Sequence, residues 1–136
     1  MITAPDERPA VPPVALHVIR LALVLGPVVA AAVMWQLRRI ADAETSGVVA
    51  NQMYIGAIFL WLMALGALAA FRGQLARATT DGARAQTLIM AWAVGEAVAL
   101  FGAVDYFLAG GWSWFIAGLA LLIADAFLLF PVRRPA

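Results

Sequence analysis

Four apolar runs alternate with polar connections along this chain. They extend from about Val14 to Gln36, Met53 to Phe71, Leu88 to Leu108 and Trp112 to Phe130. A helix that crosses a bilayer needs about 20 mostly apolar residues, because the hydrocarbon is about 30 Å thick and each residue rises 1.5 Å. Each run meets that length. Alternation of period two, the mark of a barrel strand, is absent. In lipid every backbone N–H and C=O must be bonded within the segment, so runs of this kind are helices. The pattern predicts an all-α, integral membrane four-helix bundle over residues 14–131.

The connections differ in kind. Residues 1–13, MITAPDERPAVPP, combine prolines and charges and read as a disordered, proline-rich tail. Polar loops are expected from Arg38 to Gln52 and from Arg72 to Gln86. Only Ala109-Gly110-Gly111 separates the last two runs, which predicts a tight helical hairpin turned on glycine. Residues 132–136 form a short basic tail. Part of the first run, Leu21 to Leu25 followed by Gly26-Pro27 and Ala30-Ala31-Ala32, also has the look of a signal-peptide core with a small-residue cleavage site. Its length, Asp6 and Glu7 beside Arg8, and Arg20 within it favour a retained helix.

Composition supports the membrane reading. The chain is 65% hydrophobic and 12% charged, against roughly a quarter charged in globular proteins. Too few charges remain to cover a small soluble domain. A net charge of +1 gives no basis for nucleic-acid binding. All nine basic residues are arginine; with the high alanine content this resembles a GC-rich, bacterial usage and points to a bacterial inner membrane. Cysteine is absent, which removes disulfides, thiolate nucleophiles and zinc-thiolate sites.

Four spans place both termini on the side of the second polar loop. That side carries Arg8, Arg72, Arg77, Arg84, Arg133 and Arg134; the other carries Arg38 and Arg39. Positive charge marks the cytoplasmic face, so both termini are expected inside. The same layout brings Trp35, Tyr54, Tyr106, Trp112 and Trp114 to one level, as an aromatic belt at the outer interface.

Arg20, Glu96 and Asp125 fall well inside the runs. Arg20 lies ~9 Å, Asp125 ~8 Å and Glu96 ~12 Å from the inner ends of their helices. Charged groups at such depth are costly and mark function by default. Arg20 and Asp125 are placed to meet as an ion pair that fixes helix packing, or Arg20 snorkels to the interface. Glu96 is the deepest and has no cation on its own helix. A carboxyl that takes up and gives up a proton at mid-membrane is what an ion-coupled protein needs; the plainer alternative is a bond to a neighbouring helix or to Arg20. Asp105, near the outer end of its helix, is expected to reach the interface. His17, three residues before Arg20, offers a metal ligand or proton relay, but one histidine makes no bis-histidine haem site and an interfacial role is the simpler reading. No cofactor or metal is expected.

Gly95, Ala99, Gly102 and Ala103 form a strip of small side chains on the third helix, where another helix backbone can approach closely. Gly26-Pro27 predicts a kink in the first helix.

Ala76-Arg77, Gln86-Thr87-Leu88, Gly95-Glu96-Ala97 and Leu100-Phe101-Gly102-Ala103-Val104 together resemble the second half of the rotor-ring c subunit of F-type ATP synthases. In that family an arginine-bearing polar loop precedes a helix with a mid-membrane carboxylate. The resemblance covers residues 76–104 and implies that Glu96 corresponds to the ion-carrying carboxylate. It does not extend to a whole rotor subunit. The second run has only Gly56 and Gly66 where the family repeats G-x-G-x-G, Arg77 is followed by Ala78-Thr79 rather than Gln-Pro, and two further spans have no counterpart.

The sequence has no metal-ligand cluster, Ser/His/Asp set, H-E-x-x-H or phosphate loop, so no enzymatic activity is expected. Short loops and the small-residue strip suggest a structural or accessory subunit that packs with copies of itself or with other membrane subunits in the bilayer. The alternative is a proton- or ion-coupled transport protein that uses Glu96.

Overall fold

The structure, a computed structural model, describes residues 11–41 and 44–132. Helices α1 (Pro13–Ala41), α2 (Gly47–Arg77), α3 (Asp81–Ala109) and α4 (Ser113–Ala124) follow in order, and α4 runs on into a π turn at Asp125–Leu129. There is no strand among the described residues. Helices α1, α2 and α3 are each long and apolar enough to cross a membrane. The fourth, Ser113–Leu129, is shorter; at 1.5 Å per residue it spans about 25 Å, near the lower limit for a crossing. Most of the expected tail over residues 1–13 and most of the basic tail over 132–136 lie outside the described residues.

The helices overrun the apolar runs at nearly every end. Arg38 to Ala41 continue α1, and Gly47 to Gln52 begin α2. Arg72 to Arg77 and Asp81 to Gln86 are helical too, which leaves only Ala78, Thr79 and Thr80 between α2 and α3. The two expected polar loops are therefore mostly helix. Arginine, alanine and glutamine are good helix formers, and a helix does not stop where it leaves hydrocarbon.

Local chemistry sets the ends. Pro13 is the first residue of α1, where its missing N–H costs nothing and its φ is already helical. The Thr80 hydroxyl accepts from the Ala83 N–H at 3.2 Å and caps α3. Gly110, at φ +83°, ends α3 in the left-handed conformation and turns the chain into α4. Arg38 reaches across from α1 to this end. Its Nη1 donates to the Tyr106 and Phe107 carbonyls at 3.0 and 2.6 Å, and its Nη2 donates to Thr45 Oγ1 at 2.7 Å. A cation on the last carbonyls of α3 complements that end of the helix dipole.

Helix α3 is the hub. It packs against α1, α2 and α4, whereas α1 and α2 have little contact with one another. The arrangement is a helix surrounded by three others, not a closed ring of four. The tightest contact joins α3 to α4 through the small-residue strip. A Cβ on Gly102 would lie 2.5 Å from the backbone N and Cα of Phe115, and one on Gly118 would lie 2.8 Å from the Ala99 Cα. Ala103 is packed with Ala31 of α1 and with Phe115. A second apolar cluster closes the other end of the molecule, where Leu16, Leu68, Leu88, Trp92 and Phe130 meet. There the Trp92 Nε1–H donates to the Phe130 carbonyl at 3.2 Å. The π turn ends before Phe130, and Pro131 follows.

Candidate functional site

The ionisable residues of the apolar runs, Arg20, Glu96 and Asp125, lie where α1, α3 and α4 adjoin. Gly95 and Glu96 are consecutive on α3 and point to different neighbours. A Cβ on Gly95 would lie 2.9 Å from Asp125 Oδ2, so the Asp125 carboxyl rests against the α3 backbone. A Cβ on Gly26 would lie 2.9 Å from Glu96 Oε1, so the Glu96 carboxyl rests against the α1 backbone. Two carboxyls thus flank consecutive positions of α3, Asp125 against Gly95 and Glu96 turned toward α1. Each is admitted by a glycine that leaves room for it.

Asp125 is wholly buried, and neither of its carboxyl oxygens has a hydrogen-bond partner. Buried polar atoms are nearly always bonded, and an exception calls for a specific explanation such as an ion, a proton or stored strain. Asp125 is also the first residue of the π turn. Its own backbone N–H is shared between the Leu121 and Leu122 carbonyls, and its C=O accepts from the Phe130 N–H at 2.9 Å. Such single π turns inside helices recur at functional positions.

Glu96 is half-buried, and no hydrogen bond or ion pair reaches it from the described residues. It faces Gly26 beside Pro27, which is fully buried. Pro27 has no N–H to offer the Leu23 carbonyl one turn earlier, so the α1 ladder is interrupted near the acid. The sequence marked Gly26-Pro27 as a kink; the space that Gly26 leaves for Glu96 carries no signal in the sequence.

Arg20 does not pair with Asp125. Its guanidinium lies over the Phe127 ring, 4.4 Å from the centroid, and its buried Nε has no partner. Residue counting gives the two residues similar depths, but rise along a helix fixes depth and leaves direction free. Phe127 is the group that covers the cation here. His17 Nδ1 donates to the Pro13 carbonyl at 2.7 Å, within its own helix. Asp105, expected at the interface, is 4% exposed. Among the described residues no group of three or more His, Asp or Glu side chains converges on a metal position.

The five aromatic residues collect at the opposite end from Trp92. Tyr106 stacks on Trp112 at 3.8 Å between centroids, Tyr54 lies 5.7 Å from Trp114, and Arg39 covers Trp35 at 4.9 Å. At the end that holds the start of α1 and the end of α2 lies a cavity of about 820 Å³. Its walls include Leu16 and Leu129. Each is one helical turn from a member of the polar group, Leu16 from Arg20 and Leu129 from Asp125. The Trp92–Phe130 cluster is packed at this same end, against Leu16.

Comparison with protein-family models, with curated proteins and with solved structures finds no match to this chain.

Proposed function

We propose that this chain is a four-span membrane protein with both termini cytoplasmic, whose carboxyls Glu96 and Asp125 bind and release a proton or monovalent cation in transport across the bilayer. The observation that carries this reading is the pair of unbonded acids at consecutive positions along α3, Glu96 itself and Asp125 against Gly95, with Asp125 enclosed completely. A subunit that only needs to pack gains nothing from a buried acid without a partner, since such a group weakens the contact that holds it. The residues named by the rotor-subunit resemblance point to the same place through Glu96. Termini inside follow from the arginine distribution.

The test is flux in proteoliposomes under an imposed membrane potential. The wild-type chain is expected to conduct protons or a monovalent cation. Glu96→Gln and Asp125→Asn keep size and polarity but lose the acid, and each should lower the flux at least about tenfold, as loss of a required intramembrane acid does. Unchanged flux in both variants rejects the reading, and so does a wild-type chain that passes no ion.

A second reading has its own observation. Helix α2 has 31 residues but buries only Ala57, Ala64 and Leu68, and it packs chiefly against α3. Much of its surface is left for lipid or for another subunit. On this reading the protein is a non-enzymatic packing or accessory subunit in a homo- or hetero-oligomeric membrane complex. Purification in mild detergent should then recover further copies of the chain or other membrane subunits at fixed ratio; a lone monomer would exclude it.

A further inference from the structure

The cavity at the cytoplasmic end of the proposed topology is lined by two arginines, Arg72 from α2 and Arg84 from α3. Both are exposed, and neither has a hydrogen bond or ion pair with a described residue. Asp81 is the acid on the same wall, so the described lining carries a net charge of +1. Below the charged rim the wall is apolar, with Leu75, Leu88 and Leu129. At about 820 Å³ the space is far larger than a phosphate ion needs.

We propose that this cavity binds an anionic phospholipid of the inner leaflet, with the headgroup phosphate between Arg72 and Arg84 and an acyl chain along Leu75 and Leu88. Three features favour a lipid over a soluble anion. The cationic groups sit at the end of membrane-length helices, at headgroup depth in the four-span layout. Guanidinium groups bind phosphate oxygens through a fork of donors. The remaining wall matches hydrocarbon rather than a water-soluble ligand. Basic pockets between helices on the cytoplasmic side suit anionic headgroups on the same grounds. The inference depends on the membrane placement and is independent of ion coupling by Glu96.

Native mass spectrometry of the full chain, titrated with phosphatidylglycerol in uncharged detergent, tests it. One phosphatidylglycerol should bind, phosphatidylcholine should bind far more weakly, and R72Q/R84Q should reduce phosphatidylglycerol affinity about thirty-fold. D81N removes the opposing charge, so it should tighten binding and serves as the readout if the double variant does not fold. Equal binding of phosphatidylcholine would overturn the proposal, because the apolar wall alone would then suffice. Inorganic phosphate at millimolar concentration that displaces the lipid would identify a soluble anion as the ligand and overturn it too. A wild-type chain that ignores phosphatidylglycerol while D6N/E7Q binds it would assign the cavity to the chain's own acidic N-terminal segment. Affinity unchanged in both R72Q/R84Q and D81N would overturn it as well.

Discussion

Trp92→Ala should lower the stability of the folded protein by about 3 kcal/mol. Trp92 is completely buried, between Leu16, Leu88 and Phe130 in the cluster that closes one end of the molecule. Truncation leaves a void that these neighbours fill only in part. On the membrane reading, lipid tails solvate an exposed indole body better than water does, so the loss is mainly packing and falls in the lower part of the range known for soluble cores. The indole also holds the Phe130 carbonyl just beyond the π turn. Trp92→Phe separates the two contributions. It keeps most of the volume, removes the donor, and should cost about 1 kcal/mol. Reversible unfolding in mixed micelles, followed by helix content against the fraction of denaturing detergent, gives both values. An alanine variant as stable as the phenylalanine one would show that volume at this site does not matter.

Gly102→Ala should be nearly as damaging, at about 3 kcal/mol, the upper part of the range for overpacking. The added methyl would meet Phe115 N and Cα at 2.5 Å and the Trp114 carbonyl carbon at 2.7 Å. All three are backbone atoms of α4, so no rotamer change relieves the clash and the two helices must move apart. Gly66→Ala and Gly73→Ala on α2 are the controls, because a Cβ at either position meets nothing within 4 Å. Both should be neutral or slightly stabilising, since alanine is the better helix former. Loss of stability at Gly66 equal to that at Gly102 would mean that glycine itself, and not the α3–α4 contact, sets the effect.

How legible this fold was differs from feature to feature. The helices announced themselves through long apolar runs, and the α3–α4 turn through Gly110-Gly111. The small-residue strip on α3 followed from helical spacing, and α4 lies on it through Gly95, Ala99 and Gly102. The ends of α1, α2 and α3 lie beyond their apolar runs, because hydropathy reports where apolar side chains stop and not where the hydrogen-bond ladder stops. Arg20 and Asp125 show a second limit. Their depths follow from counting residues, but which neighbour each faces depends on rotation about the helix, and the π turn at Asp125 alters that rotation for every later residue. The position of Glu96 against Gly26 was hidden for the same reason. That α3 packs extensively against all three other helices has no sequence signal; it buries twelve residues where α1 buries Leu16, Pro27 and Ala31.

The central place of α3 bears on how such a chain is made. Synthesis delivers α1 and α2 first, and these have little surface for each other. On the four-span reading they enter the bilayer as two separate helices and wait, each surrounded by lipid, until the ribosome has released residues beyond Ala109. Assembly then starts at the C-terminal hairpin, where Gly110 lets α4 fold back on α3, and the two older helices are gathered onto a partner younger than themselves. A chain truncated after α2 would therefore hold two membrane helices and no tertiary structure.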